Sequence, residues 1–226
     1  MAFEFFRDRQ HAGRVLAQKL ADHADNPGVI VLALPRGGMP VAYEVARALH
    51  APLDVLVVRK LGVPGHEEYA MGAIAGGGER VLDSDLVRDL GIGARAVDEV
   101  VRAEERELER REHAYRGERP APDLRSRVVI LVDDGLATGA TMRVAVRAVR
   151  RQAPASIVVA APVASPEACE LLRSEADEVV CAEVPAAFLG VGRWYLDFSQ
   201  TSDEEVCSLL EKASRRRTRH RPRSPA

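Results

Sequence analysis

The sequence predicts an α/β fold, an open and mainly parallel sheet with helices on both faces. Three observations carry this expectation. Apolar runs without alternation recur at residues 29–34, 53–58, 128–132 and 156–163, the pattern of strands covered on both faces. The stretches after the first and third runs return to helical spacing. Those runs also end in glycine, basic or acidic residues, which places polar chemistry at strand ends.

Taken in order, residues 6–20 put Ala12, Val15, Leu16 and Leu20 on one face, with Arg14, Gln18 and Lys19 off it, so an amphipathic helix opens the chain. VIVLAL at 29–34 is stopped by Pro35-Arg36-Gly37-Gly38, and residues 40–49 are helical in spacing: strand, tight loop, helix. LDVLVV at 53–58 ends in Arg59-Lys60, VVILV at 128–132 ends in Asp133-Asp134, and SIVVAAPV fills 156–163. The glycine-rich stretch 62–78 reads as a loop, and residues 62–69 within it carry the glycines of a closing lid. A charged helix follows at about residues 94–115. Its acids precede bases by four residues at Asp98/Arg102, Glu107/Arg111 and Glu112/Arg116, and only Val97, Val101, Leu108 and Tyr115 can pack on the sheet. After Pro185 the segment FLGVGRWYLDFSQ leads to a last helix, whose start is marked by the capping box of Ser202 and Glu205.

The 226 residues suffice for one large domain, and 46% apolar with 29% charged residues excludes wholesale disorder and fibrous repeats. No apolar run reaches the ~18 residues of a membrane span, and MAFEFFRDRQ is charged too early for a signal peptide, so a cytoplasmic protein is expected. Cys169, Cys181 and Cys207 form no CxxC pair, which argues against a disulfide framework or structural zinc. Net charge is −2, but residues 213–226 hold six arginines and no acid, so the body carries 26 − 34 = −8. Such a body is not a general nucleic-acid binder. The expected organisation is one domain over residues 1–213, with a core at about 29–163 and a small hood from about 1–25 and 185–213. The arginine-rich tail, 214–226, has no core residues and is expected to be disordered.

The chemistry concentrates in VVILVDDGLATGATM, residues 128–142, where a buried strand delivers two carboxylates and then a small-residue loop opening a helix. In open α/β sheets ligands bind at the carboxyl ends of strands. Ala137, Thr138, Gly139, Ala140 and Thr141 bring backbone N–H groups and two hydroxyls to the positive end of that helix, a cradle for phosphate. No Gly-Lys-Ser/Thr follows, so it is not a Walker A loop. Asp133 and Asp134 suit the vicinal hydroxyls of a sugar whose phosphate occupies the loop, with a divalent cation screening the rest. A phosphorylated pentose meets those demands.

At these residues VVILVDDGLATGAT resembles the motif by which type I phosphoribosyltransferases bind 5-phosphoribosyl-1-diphosphate (PRPP). Gly135 departs from the aliphatic residue or serine usual there. LPRGG is similar to the pyrophosphate loop of that family, and VVRKLG to the segment whose basic pair opens its mobile loop. The resemblance covers residues 29–163 and implies a type I fold, Mg²⁺ as cofactor, PRPP and a small-molecule acceptor as partners, and a possible homodimer. It assigns Asp133 and Asp134 to the ribose hydroxyls, with any metal contact made indirectly through PRPP or water. Ala137 to Thr141 take the 5-phosphate. Arg36, Gly37, Gly38, Arg59 and Lys60 attend the pyrophosphate, and Arg36 and Lys60 join the acid pair as the catalytic set. A non-proline cis peptide is expected near Arg36-Gly37.

The implied reaction is displacement of Mg²⁺-bound pyrophosphate by a nitrogen nucleophile. Purine 6-oxo enzymes of the family carry an acid where this chain has Ala137. Seven of ten aromatics lie in the terminal segments: Phe3, Phe5 and Phe6, then Phe188, Trp194, Tyr195 and Phe198. Phe188, Trp194 and Tyr195 either stack a flat acceptor or form a satellite core. GIGARA at 91–96 matches a dinucleotide pattern but follows a predicted helix at 84–90, and His66-Glu67-Glu68 lacks the second histidine of HExxH. Arg143, Arg147 and Arg151 read as a solvated helix face rather than an RNA stripe. The competing function is a PRPP- or nucleotide-sensing regulator without turnover that touches RNA or DNA through its tail. Nucleic acid and membranes are otherwise not expected partners.

Overall fold

The computed structural model describes residues 5–76 and 78–220. Phe3 and the end of the tail, residues 221–226, lie outside the described residues. The central sheet is parallel throughout, in the order β2-β1-β6-β7-β8, formed by Leu53–Val55, Val29–Ala33, Val128–Val132, Ser156–Val163 and Glu178–Glu183. Alternate side chains of each central strand go to opposite faces. Val29, Val31, Ala33, Ile130 and Val132 meet α1 (Arg9–Lys19), α2 (Gly38–Ala48) and α7 (Asp203–His220). Ile30, Leu32, Val129 and Leu131 meet α5 (Ala140–Arg150) and α6 (Pro166–Arg173). Helices therefore cover both faces, as the unalternating apolar runs require.

Three differences from the sequence reading have physical causes. The run 53–58 is not one strand: β2 ends at Val55, and Val58 begins β3 (Val58–Val63) of a separate antiparallel sheet with β4 (His66–Ala75) and β5 (Glu79–Leu82). The stretch expected to be a loop is thus a β-sheet, and residues 62–69 are its first hairpin. Val63 pairs with His66 across Pro64 and Gly65, and Gly65 has φ +79°, as a two-residue turn with proline first requires. Leu61, Met71 and Ile74 bury one face of this sheet against Val97, Val101 and Leu108 of α4 (Ala94–Arg116). The long charged helix consequently lies on the hairpin sheet. Its pairs Glu107/Arg111 and Glu112/Arg116 form at 2.8 and 3.0 Å.

The hood is smaller than expected and the tail more ordered. Helices α1 and α7 belong to the layer packed on the sheet, and the hood proper joins residues just before α1 to those before α7. Phe6 donates its N–H to Trp194 O, and Leu196 N–H donates to Phe6 O, at 2.9 and 2.8 Å. The last helix continues to His220, so residues 214–220 of the tail are helical. Arginine is a good helix former, and Arg215 pairs with Glu211 one turn earlier.

The capping position is as expected, with Glu205 N–H donating to Ser202 Oγ at 3.2 Å. GIGARA does follow a helix, α3 (Ser84–Asp89). Of Arg143, Arg147 and the C-cap residue Arg151 of α5, Arg151 is exposed, Arg143 is half-buried and Arg147 pairs with Glu175, while the neighbouring Arg150 pairs with Asp177, which ties the helix to the segment before β8. Cys169 and Cys181 meet as free thiols, 3.6 Å between sulfurs, and burial pushes the Cys181 thiol up to about 12. No helix among the described residues is long and apolar enough to cross a membrane.

Candidate active site

The carboxyl ends of β1 and β6 lie side by side, with Ala33 in register with Val132. That register brings the loop after β1 against the acid pair after β6. A Cβ built on Gly37 would overlap Asp134 Oδ2, and one on Gly38 would lie 2.7 Å from Val132 O and 2.9 Å from Asp133 Cα. Glycine permits this approach, so Gly37 and Gly38 bring the loop after β1 against the acid pair. The peptide between Pro35 and Arg36 is cis, one bond before the expected position.

Asp134 is held at three points. Its N–H donates to Asp133 Oδ1 at 2.8 Å, its carbonyl accepts from the Tyr195 hydroxyl at 2.5 Å, and its Oδ2 accepts from Arg9 Nε at 2.8 Å. Burial raises both carboxyls above their ordinary range. For Asp133 the negative charge of Asp134 adds to the effect, whereas Arg9 opposes it at Asp134.

Downstream, Leu136 N–H donates to Val163 O and Ser165 N–H to Leu136 O, both at 2.9 Å, which ties the loop to the end of β7. Ser165 Oγ then donates to Ala137 O at 2.7 Å. Thr138 Oγ1 accepts from Ala140 N–H at 3.4 Å, and Gly139 caps α5 in a left-handed conformation, φ +72°. Ala137, Thr138, Ala140 and Thr141 are exposed at the N-terminus of this 11-residue helix. The loop is thus fixed from behind and open in front, at the positive end of the helix dipole.

The remaining sequence-predicted residues divide. Arg36 is half-buried, and its field reaches Tyr115 and Glu204, which places it toward α4 and α7. Arg59 and Lys60 are consecutive on β3 and point to opposite faces of that strand. Arg59 is ion-paired with Glu104 of α4 at 2.7 Å and is committed there, while Lys60 is exposed. The two basic residues therefore do not form a joint cluster. Phe188, Trp194 and Tyr195 belong to a satellite core with Phe6, Ala12 and Val163. Tyr195 is buried, 5.5 Å from the Phe6 ring and 5.0 Å from the Phe198 ring, and its hydroxyl is spent on Asp134.

The residue that sequence reasoning missed is Arg9. It lies within the opening stretch expected to be an amphipathic helix, and nothing in its neighbourhood points 125 residues downstream. Gly135, the departure from the family motif, also has a local cause. A Cβ there would overlap the Val191 side chain of the hood.

The model of the phosphoribosyl transferase domain matches residues 7–197. The chain belongs to the phosphoribosyl transferase domain family. The resemblance read from three short motifs thus extends to nearly the whole domain, from just before α1 to the hood. A Mycobacterium tuberculosis protein named "Putative phosphoribosyl transferase" is 48% identical over 212 residues, 94% of this chain. The chain spans 48% of that relative's length, about half. TT1426 from Thermus thermophilus, known from a crystal structure, is 46% identical with a TM-score of 0.79, covering 92% of this chain and 98% of that one. The phosphoribosyl transferase domain and its mainly parallel sheet are in this way independently matched.

Proposed function

We propose that this phosphoribosyl transferase domain binds PRPP with Mg²⁺ and transfers its 5-phosphoribosyl group to a nitrogen heterocycle of nucleobase type, releasing pyrophosphate. The observation that carries the reading is the convergence of Asp133 and Asp134, the Gly37-Gly38 loop and the open loop 137–141 at one end of the sheet. Two adjacent carboxylates fit a sugar diol. An anchored backbone loop at a helix N-terminus fits its 5-phosphate, and a side-chain-free loop against the acids leaves room for a diphosphate.

Mg²⁺ fits this site only together with the ligand. Asp133 and Asp134 are adjacent oxygen donors, and among the described residues no group of three or more His, Cys, Asp or Glu gathers into a cage. They would meet the ion indirectly, through PRPP or water, and the ion would supply charge neutralisation to the departing pyrophosphate. The protein's own part is positional and electrostatic. Asp133 and Asp134 fix the ribose, loop 137–141 fixes the 5-phosphate, and Arg36 with Lys60 lends positive charge on the pyrophosphate side. A nucleotide-salvage role in the cytoplasm is part of the same proposal.

The acceptor is read from the hood. Ala137 leaves no acid at the position used for purine 6-oxo groups, and Leu189 and Leu196 stay exposed beside the satellite core. The deciding assay supplies the purified chain with PRPP, Mg²⁺ and single nucleobases and monitors pyrophosphate. Release dependent on one base supports transfer and names the acceptor. PRPP binding without release from any base would favour the sensing regulator.

A further inference from the structure

Arg9 combines features that an ordinary surface pair lacks. It stands in the first turn of α1, yet its side chain is only 11% exposed and the Asp134 side chain 15%. The guanidinium makes three contacts that fix its plane: a carboxylate, a backbone carbonyl and an aromatic ring. Nε donates to Asp134 Oδ2 at 2.8 Å, Nη1 donates to Ser199 O at 2.6 Å, and the Cζ lies 3.9 Å from the Phe198 ring centroid. The helix that presents it is fixed as well. Asp8 caps α1 by accepting from His11 N–H at 2.6 Å, and Arg7 O accepts from Asp197 N–H at 2.9 Å. The two chain-terminal segments therefore meet at one guanidinium, and that guanidinium meets one carboxylate.

A carboxylate has roughly four acceptor positions, so one N–H from Arg9 leaves capacity for a ligand hydroxyl. With the backbone of Asp134 already pinned at both N–H and carbonyl, the Arg9 bond fixes the remaining freedom of the side chain. We infer that Arg9 is a positioning residue of the donor site: it aims the Asp134 carboxylate at the ribose hydroxyls of PRPP and is required for tight donor binding. The inference rests on the ribose role of Asp134 proposed above. It makes the hood segments part of the donor site.

The test is calorimetric titration of PRPP with Mg²⁺ into the full chain, as wild type, R9K, R9Q, D134N and the double variant R9Q/D134N, each with a melting temperature. If Arg9 acts through Asp134, R9Q weakens PRPP binding about 10- to 100-fold, the range of one lost charge-assisted hydrogen bond. R9K, which keeps the charge but not the fork, recovers part of that loss. Adding R9Q to D134N then changes affinity by less than about 3-fold, because the pathway is already cut. An R9Q variant that melts lower but binds PRPP as wild type does would reduce Arg9 to a structural pair and overturn the inference. Tighter binding in R9Q would make Arg9 a competitor of the ligand, and additive losses would make it a direct ligand contact. Either result also overturns it. If R9Q does not fold, R9K decides: wild-type affinity with an undiminished response to D134N contradicts positioning by the fork. If the wild-type chain itself does not bind PRPP, the parent reading fails and this one with it.

Discussion

Replacing Gly37 with alanine separates the role of close approach from that of backbone conformation. Gly37 has φ −58° and ψ −37°, an ordinary right-handed geometry that alanine adopts freely. On backbone grounds the substitution would even stabilise the chain, by about 0.4–1 kcal/mol through the unfolded state. The Cβ, however, would overlap Asp134 Oδ2, the atom that accepts from Arg9. Either the Asp134 side chain swings away, forfeiting a charge-assisted bond of roughly 1.5–3 kcal/mol, or the glycine loop retreats from the acid pair. The net expectation is a loss of about 1–2 kcal/mol in stability and at least about tenfold in PRPP affinity. Urea unfolding reads the first and calorimetry with Mg²⁺ the second. A Gly37→Ala chain with wild-type affinity for PRPP would refute the packing of the two loops as the basis of the site.

Further outcomes follow from neighbouring contacts. Tyr195→Phe removes the hydroxyl that donates to Asp134 O and should cost about 1–2 kcal/mol in urea unfolding, since a part-buried carbonyl loses its donor. Gly135→Ala should destabilise by about 1–3 kcal/mol through overpacking against Val191, and Val191→Ala in the same chain should restore much of it. For Asp133, burial and the charge of Asp134 raise the folded carboxyl, so the folded chain retains a proton that the unfolded chain releases. Stability therefore falls as pH rises from the ordinary carboxylate range through the raised folded value. Asp133→Asn should raise the melting temperature at pH 7 by more than at pH 4 while weakening PRPP binding. A gain that is larger at pH 4 would reverse the sign of this argument.

The legible part of the molecule was the part whose residues act locally. Three buried strands, β1, β6 and β7, announced themselves as apolar runs, and the acid pair with its small-residue loop is contiguous in sequence, so strand end, carboxylates and helix N-terminus came from a single stretch. The illegible parts depend on partners elsewhere. The edge strand β8 is EVVCAE, only partly buried, and gave no apolar run. The hairpin at 62–69 was hidden by its glycines, although Pro64-Gly65 between short apolar segments is itself a turn signal. Arg59 looked like a ligand contact beside Lys60. Strand alternation sends it to Glu104, which could not be foreseen while the segment read as loop. Arg9 had no local signature, because its partner arrives only when α1 docks beside the end of β6. Family membership now comes from the match over residues 7–197, and the type I motif reading and the mainly parallel sheet agree with it.

The most direct measurement is the affinity of the purified chain for PRPP in Mg²⁺, compared with Asp133→Asn/Asp134→Asn by calorimetry, with circular dichroism confirming that both are folded. Saturable one-to-one binding by the wild-type chain, lost or weakened at least tenfold in the folded double variant, is the expected result. Equal affinity in the two would remove the acid pair from the donor site, and no binding by the wild-type chain would contradict the assignment of PRPP as its ligand.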